Sequence, residues 1–514
     1  MIPGWLRQFL EKAKAVLKKI WAILNKDIFV KPRPSKPDAA NEVPPERRLD
    51  LGYAWGVDEK TNMEGFTQRK AIYTDYRKTH FYIIGATGTG KTKFLESLII
   101  QDLVNGEGFA VIDPHGDLTE NIKGWLYHKT QKDFQKDIIL IEPTNLEKTV
   151  SFNPLEPIPG ISSSEIASEL VEVFRKIWID SWGERMADIM RNSLIALVEN
   201  GLTLAELPPF LTNTAFRRKV MRNVKNPTCL ERLEYFNSLP PSTWREWIES
   251  TLNKVDAFLS DARIRDIFSS PKSSFNLREI MDSGKILLVN LSRGRLKGGA
   301  NLLGALLVSK IQMAAFSRAD MPQTSRKQFY LYIDEFQNFA TESFVEMLSE
   351  ARKYKLSLIM AHQNLSQLPR TLKDSILANC GIQACFRVNR EDAQLLAKEL
   401  LSPLYQHQPG WELNIQRLQE LPPRTCFVAN RMEGGIIYIS TPDVPNPWEL
   451  IWGEEDGEWK TYDEETFRRF MDVMGYGASY LRDRAEVEEE YLQRYTELVK
   501  SKEGENFRER KGQI

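Results

Sequence analysis

The pattern of apolar and polar positions changes period several times along this chain. Short apolar runs bounded by polar or glycine-rich segments predict buried strands. Such runs lie at Phe81–Ile84, Phe109–Ile112, Ile138–Ile141, Lys285–Leu291, Phe329–Ile333, Leu356–Ala361, Gly381–Val388 and Thr425–Ala429. Because helical stretches separate the early runs, the pattern indicates strand–helix–strand units. We therefore predict an α/β fold built on a parallel sheet.

The strand runs disappear between residues 161 and 275. This part of the chain shows helical periodicity instead, for example over 164–178 and 184–199. Proline pairs at Pro208–Pro209 and Pro240–Pro241 end helices within it. Because strand runs return afterwards, we predict an all-α domain inserted into one α/β domain.

The first 25 residues predict a basic amphipathic helix. Trp, Phe, Leu and Ile recur at three- and four-residue steps over residues 4–25, and Lys and Arg lie mostly between them. Such a helix suits a membrane interface, where its apolar face would enter the lipid. Packing against its own domain or a neighbouring subunit explains the pattern equally well, so both interpretations stay open here.

These patterns divide the chain into six predicted parts. They are a basic amphipathic helix (1–30), a Pro-rich linker (31–50), the first part of the α/β domain (51–160), the inserted all-α domain (161–275), the second part of the α/β domain (276–445) and an acidic helical C-terminal tail (446–514).

Composition excludes several classes of protein. The chain has 514 residues, of which 42% are apolar and 27% charged, as in soluble folded proteins with more than one domain. No uncharged apolar run approaches the ~18 residues that span a bilayer. The net charge of -1 means that nucleic-acid contact would have to be local. The four cysteines form no C-x-x-C pair and predict buried thiols in a reducing cytoplasm.

Charge is distributed unevenly between the two ends. Residues 1–50 carry 11 Lys and Arg against 6 Asp and Glu, a net of +5. Residues 446–514 carry 11 against 18, a net of -7. The acidic tail is therefore a candidate for recruiting a partner, although simple solubilisation accounts for it as well.

A phosphate-binding loop follows the first buried run. Its eight residues are Gly85, Ala86, Thr87, Gly88, Thr89, Gly90, Lys91 and Thr92, which match G-x-x-x-x-G-K-[ST] between a strand and a helix. Glycines let backbone N–H groups approach phosphate oxygens, and the helix N-terminus adds partial positive charge. Lys91 would reach the terminal phosphates of ATP, and the Thr92 hydroxyl would bind Mg²⁺.

Two adjacent acids end the run Phe329–Ile333. Asp334 and Glu335 follow five apolar residues, so we expect them at the carboxyl edge of a parallel sheet, where such folds bind ligands. Asp334 would bind Mg²⁺, and Glu335 would orient and polarise the attacking water. Transfer of a phosphoryl group to water needs little more than such positioning and charge stabilisation.

Two further residues are candidates for catalysis. Gln363 follows another buried run and would sense the γ-phosphate from the same sheet edge, or else face solvent. Arg352 lies between the acids and that run, and a guanidinium suits bidentate phosphate contact. We expect it to face a neighbouring subunit if it acts, and the alternative is a solvated charge.

Two loops carry weaker signals. Asp113–Asp117 reads as a structural turn at the nucleotide edge of the sheet. Arg293, Arg295 and Lys297 lie in a glycine-rich segment that we expect to be a flexible loop. Its three cations suit phosphates of DNA or nucleotide, and a solvated surface loop is an equal alternative.

The combined pattern resembles the FtsK–HerA superfamily of P-loop motors, and within it the coupling proteins of type IV secretion and conjugation. The resemblance covers roughly residues 65–445. It rests on His80–Thr92, Val111–Leu118, Tyr330–Asn338, Glu350–Gln367 and Asn379–Ala393, together with the helical insertion.

That resemblance implies a RecA-like P-loop NTPase domain with an inserted all-α domain, assembled as a homo-hexameric ring. It implies ATP-driven movement of DNA, with ATP and Mg²⁺ as ligands and relaxase or secretion-channel proteins as partners. Lys91, Thr92, Asp334, Glu335 and Gln363 match the family's nucleotide, metal, catalytic and sensor positions. Arg352 matches the place of an arginine finger supplied to the adjacent subunit.

One departure from this family affects the expected location. Coupling proteins usually begin with transmembrane helices, and no such run occurs in this sequence. We therefore expect a cytoplasmic protein, held at the inner face of the membrane if residues 4–25 bind lipid. A soluble HerA-like motor for DNA repair, packaging or defence is the alternative. A nucleotide-dependent scaffold is a third reading, which the intact Glu335 disfavours.

Overall fold

The computed structural model describes residues 48–57, 64–130, 138–296, 298–401, 409–447, 454–455, 458–459 and 480–500. The predicted amphipathic helix over residues 4–25 lies outside the described residues. So do most of the predicted linker, Lys297 and a large part of the acidic tail.

Eleven strands form one sheet, and each of the eight predicted runs contributes a strand to it. The strands of this sheet, with the short β6 outside it, are β1 Arg48–Val57, β2 Glu64–Tyr73, β3 Phe81–Ile84, β4 Gly108–Asp113, β5 Ile138–Ile141, β6 Lys148–Val150, β7 Ile286–Asn290, β8 Phe329–Ile333, β9 Leu356–His362, β10 Ile382–Cys385, β11 Thr425–Asn430 and β12 Gly435–Ser440. Their order is β2-β1-β12-β11-β10-β3-β9-β8-β4-β7-β5. The strand before the phosphate loop, β3, is therefore internal.

The sheet is mixed, which corrects the prediction of a parallel sheet. Strands from β10 through β5 are parallel, whereas β11, β12, β1 and β2 add to β10 as antiparallel neighbours. The predicted linker also ends too late, because residues 48–50 already belong to β1. Leu49 is fully buried, so the chain already packs into the apolar core before residue 51.

Helices cover both faces of the sheet. Their bounds are α1 Lys91–Asn105, α2 Asp117–Thr130, α3 Ser163–Ile177, α4 Glu184–Glu199, α5 Leu207–Thr212, α6 Thr214–Met221, α7 Pro227–Ser238, α8 Pro241–Leu259, α9 Ala262–Phe268, α10 Leu277–Ser283, α11 Arg293–Leu296, α12 Gly298–Phe316, α13 Phe344–Glu350, α14 Arg370–Asn379, α15 Arg390–Leu400 and α16 Pro409–Glu420. Along β3, Phe81 and Ile83 face the core under α1 and α2, whereas Tyr82 and Ile84 face the core under α12. This two-sided burial explains why β3 is apolar throughout.

Helices α3 to α9 lie in the chain between β6 and β7. The first of them begins with a capping box, in which Ser162 and Glu165 satisfy each other's backbone amides. Helix α3 packs on α12, so the helical region rests on the same face of the sheet. The division into domains at residues 161 and 275 stays a prediction.

Helix α12 is buried on nearly all sides. Among the described residues, the segment Gly298–Asp320 is long and apolar enough to cross a membrane by length and composition alone, and 89% of an apolar 18-residue stretch within it is buried in the protein. Its apolar character follows from packing between the sheet and α3.

The described end of the chain returns to the helical region. Strand β15, Leu481–Asp483, pairs antiparallel with β6, and α17 follows it over Arg484–Lys500. A separate two-residue pair joins β13 Glu454–Glu455 to β14 Glu458–Trp459. Arg484 donates to the buried Asp266 carboxylate over 2.8 Å. This part of the acidic tail is thus anchored to α9 by charge pairing.

Candidate functional site

The phosphate loop is shaped by contacts with two neighbouring strands. The Gly85 amide donates to the His362 carbonyl, and the Ala86 amide donates to the Arg387 carbonyl over 2.7 Å. A Cβ on Gly85 would lie 2.5 Å from the Cβ of Phe386, so only glycine fits there. Gly90 adopts φ of +102° immediately before α1 begins at Lys91.

The loop offers free amides to a phosphate. In the part of the chain that the structure describes, the backbone N–H groups of residues 87–90 have no acceptor. The Lys91 amine meanwhile donates to the Ala86 carbonyl over 3.1 Å. Burial lowers the pKa of Lys91, although Glu335 and Asp334 oppose that effect. These groups fit the oxygens of a nucleotide phosphate chain.

The two acids reach the same edge from β8. Asp334 and Glu335 are both buried, and the Thr92 hydroxyl donates to Asp334 Oδ2 over 3.1 Å. Burial raises the pKa of Asp334 to about 6, with further contributions from Glu335 and Asp113. A bound cation would relieve this desolvation, and hydroxyl and carboxylate oxygens are the ligands that Mg²⁺ prefers.

The described residues include no group of three or more His, Cys, Asp or Glu side chains that could hold a metal. Thr92 and Asp334 supply two adjacent oxygen ligands, which fit Mg²⁺ when nucleotide phosphates supply further oxygens.

Glu335 adopts an unusual backbone conformation, with φ of +46°. Its two carboxylate oxygens accept hydrogen bonds from two glutamines. The amide of Gln363 donates to Oε1 over 2.8 Å, and the amide of Gln337 donates to Oε2 over 2.7 Å. The structure thus places the predicted sensor residue against the acid. Sequence reasoning missed Gln337, whose only signal is its position two residues after Glu335.

Arg352 lies away from this chain's own phosphate loop. It belongs to a short 3-10 helix, Ala351–Tyr354, that directly precedes β9, and its side chain is exposed. The acids lie beyond the carboxyl ends of the strands, and seven residues of β9 span about 20 Å. Arg352 therefore cannot reach the site of its own subunit, and its service to a neighbouring subunit stays a prediction.

Arg293 and Arg295 occupy a short helix, α11, which corrects the prediction of a flexible loop. Ser292, with φ of +40°, starts this helix by accepting the amide of Arg295 over 2.7 Å. Both arginines are exposed at the carboxyl edge of the sheet. Arg293 Nη1 lies 3.4 Å from Asn338 Oδ1, in the turn that follows Glu335.

Asp113 has a structural role in its turn. Its carboxylate accepts the amides of His115 and Thr119, each over 2.9 Å, and so caps the start of α2. His115 itself is exposed. This agrees with the interpretation of residues 113–117 as a structural turn.

A further support of the loop could not be found from the sequence. The Arg424 amide donates to the Thr89 carbonyl over 2.7 Å, and Arg424 has φ of +64°. Because this residue lies more than 300 positions after the loop in the sequence, no local pattern connects the two.

The phosphate loop, the acid pair beside it and the central parallel strands together define a P-loop nucleotide-binding protein of RecA-like α/β fold. Comparisons with known proteins refine this class. Residues 71–294 match the family described as "Helicase HerA, central domain". Residues 328–400 match the family described as "TraM recognition site of TraD and TraG".

A curated relative points the same way. The chain is 24% identical over 396 residues to the type 4 coupling protein DotL of Legionella pneumophila. The aligned region covers 65% of this chain. The chain spans about half the length of that relative, since the match covers 50% of it. The chain is therefore similar to P-loop ATPases of the FtsK–HerA superfamily and, over part of its length, to type IV coupling proteins.

Solved structures of similar proteins give a weaker likeness. The conjugative coupling protein TrwB is 17% identical, with a TM-score of 0.49 over 73% of this chain and 88% of that one. VirB4 of Thermoanaerobacter pseudethanolicus is 12% identical, with a TM-score of 0.46 over 78% of this chain and 98% of that one. Likeness at this level carries no inference about function.

Proposed function

We propose that this chain is an ATP-hydrolysing motor that moves DNA or nucleoprotein through a hexameric ring toward a conjugation or secretion channel. One observation carries the proposal. The Thr92 hydroxyl donates to the Asp334 carboxylate, and the buried Glu335 is the next residue, beside a loop whose amides have no acceptor in the described chain. A protein that only bound nucleotide would not need Glu335 at this position.

Each residue of the site then has a distinct role. Lys91 and the loop amides bind the phosphates of ATP. Thr92 and Asp334 would hold Mg²⁺, which would supply positive charge beside the phosphates. Glu335 orients the attacking water and accepts its proton, and Gln363 reports the γ-phosphate to Glu335 through their 2.8 Å hydrogen bond.

The hexamer gives Arg352 its role. Its exposed side chain lies at the amino ends of the strands, on the side opposite this chain's nucleotide. In a ring, that side of one subunit meets the nucleotide edge of the next, so the guanidinium would stabilise transition-state charge there. Comparable fingers accelerate other NTPases by roughly 10³–10⁵.

The partners follow from the relatives' descriptions. A region matched to a TraM recognition site suggests accessory proteins of the DNA-processing complex, and the DotL match suggests a secretion channel. We place the protein in the cytoplasm at the inner face of the membrane, with residues 4–25 contacting lipid and relaxase or channel proteins binding the assembled ring.

ATP hydrolysis tests this function directly. We would compare the wild type with Glu335→Gln, with and without single- and double-stranded DNA, and use the exposed Glu342→Gln as a control for loss of charge. We expect DNA to raise the wild-type and control rates several-fold and Glu335→Gln to abolish hydrolysis. Hydrolysis that ignores DNA, or that survives Glu335→Gln, overturns the proposal.

A HerA-like soluble motor is the second candidate, because residues 71–294 match the HerA central domain. Flotation with anionic vesicles separates the two. If the protein is a coupling protein, we expect the full chain to float with the vesicles. A chain lacking residues 1–30 should then stay in the bottom fraction of the gradient. Absence of lipid binding by the full chain favours the soluble motor.

A further inference from the structure

Each oxygen of the Glu335 carboxylate accepts a hydrogen bond in the structure. Gln363 and Gln337 each donate one amide hydrogen bond, over 2.8 Å and 2.7 Å, to different oxygens of the same side chain. A general base must present a lone pair toward water. Each oxygen keeps a second lone pair, so the two amide donors do not block the carboxylate but fix the direction in which its remaining lone pairs point.

The two glutamines differ in how firmly they are held. Gln363 follows the internal strand β9, whose residues are all buried. Gln337 belongs to a 3-10 helix of only three residues, Phe336–Asn338, and both glutamines are half-buried. Among the described residues, the buried Oε1 of Gln337 has no hydrogen-bond partner. A buried acceptor without a donor disfavours this rotamer, so the Gln337 side chain is the more readily displaced of the two.

The same 3-10 helix connects Glu335 to an exposed cation. The backbone and side-chain amides of Asn338 both donate to the Glu335 carbonyl, each over 3.0 Å. On its other side, Asn338 Oδ1 lies 3.4 Å from Arg293 Nη1. Arg293 is exposed at the nucleotide edge and faces no carboxylate within 4 Å in the described residues. A phosphate that bound Arg293 would compete directly with Asn338 for its guanidinium.

We propose that Gln337 is a positioning residue that holds Glu335 in a resting geometry, and that a polyanion bound at Arg293 releases it through Asn338. Gln337 thus restrains hydrolysis until cargo is present. The inference rests on the proposed function, because it assumes that Glu335 activates water. It adds a specific connection between a bound polyanion and the orientation of the Glu335 carboxylate.

Steady-state hydrolysis of ATP by the full chain, with and without DNA, tests the device. Gln337→Ala removes the restraining donor, so we expect the rate without DNA to rise about tenfold, as for loss of one hydrogen bond to a charged group. The rate with DNA should stay near the wild-type value, which reduces the stimulation ratio toward one. The exposed Gln323→Ala is a matched control that should leave both rates unchanged.

Arg293→Ala tests the other end of the connection. We expect the stimulation of hydrolysis by DNA to be lost in this variant. Gln337→Met is a second variant of similar size that cannot donate, and it should also raise the rate without DNA. Retained binding of a fluorescent ADP analogue by each variant shows that the site is folded.

The outcomes separate this inference from the proposed function. If the wild type ignores DNA or Glu335→Gln remains active, the proposed function itself fails. If the wild type responds to DNA and Glu335→Gln is inactive, the function stands. A folded Gln337→Ala whose rate without DNA is unchanged or lower then overturns the restraint. Normal stimulation of Arg293→Ala overturns the connection through Asn338.

Discussion

Acid should destabilise this protein through one buried imidazole, that of His80. Its Nδ1 accepts the Leu358 amide over 3.0 Å, and its Nε2 lies 3.1 Å from the Leu348 carbonyl. The ring is therefore neutral, with its proton on Nε2, because a proton on Nδ1 would face another N–H group. Burial lowers the pKa of His80 to about 4, although the bond to Leu348 opposes it and the charge of Arg352 adds to it.

The size of the effect follows from the two pKa values. The unfolded chain binds a proton at His80 below its ordinary pKa of about 6.5, whereas the folded chain does not do so until about pH 4. Folding stability is thus complete above pH 6.5 and is lost as the pH falls through that value. The loss is about 1.4 kcal/mol at pH 5.5 and about 3 kcal/mol by pH 4.

Thermal unfolding midpoints of the wild type and His80→Gln, measured from pH 7.5 to pH 5.5, check this reasoning. Glutamine cannot take up the proton, so the wild-type midpoint should fall about 1.3 °C further than that of the variant over this range. The buried His362 contributes equally to both proteins and cancels from the difference. Parallel curves for the two proteins would refute the assignment of the acid sensitivity to His80.

Three further perturbations have defined outcomes. Asp102→Leu leaves the fully buried Arg77 without its carboxylate, so the free energy of unfolding should fall by about 3–5 kcal/mol, and the added Arg77→Leu should restore part of it in urea titrations. Arg484→Ala removes the pair with Asp266, and amide exchange over residues 481–483 should become faster while nucleotide binding is unchanged. Gly85→Val places a side chain against Phe386, and stabilisation by ATP and Mg²⁺ in thermal unfolding should disappear.

The sequence predicts best the elements that are buried on both faces. Phe81–Ile84, Ile138–Ile141 and Phe329–Ile333 form strands with the predicted bounds, because a strand covered by helices on both sides is apolar at every position. The loop and the acids were predictable for a related reason. Strand ends fix where Thr92 and Asp334 emerge, and the structure brings these two side chains within 3.1 Å.

The missed features depend on contacts between distant segments. Strand β1 is only partly buried and pairs antiparallel with β2 and β12 at the flank of the sheet, so it has no continuous apolar run. Strand β12 was not predicted although Ile436–Ile439 is such a run. The Gln337 amide bonds to the Glu335 carboxylate only because Glu335 adopts a left-handed backbone conformation. The sequence does not predict that conformation. The site's catalytic roles remain predictions.

The internal position of β3 has a consequence for synthesis on the ribosome. This strand lies between β9 and β10, which are made more than 270 residues later, and its loop bonds with the main chain of Arg387 and Arg424. A nascent chain that has completed the phosphate-loop sequence therefore lacks the strands that shape it. Nucleotide binding should begin only when the segment through Arg424 has left the ribosome, so that truncated translation products cannot consume ATP.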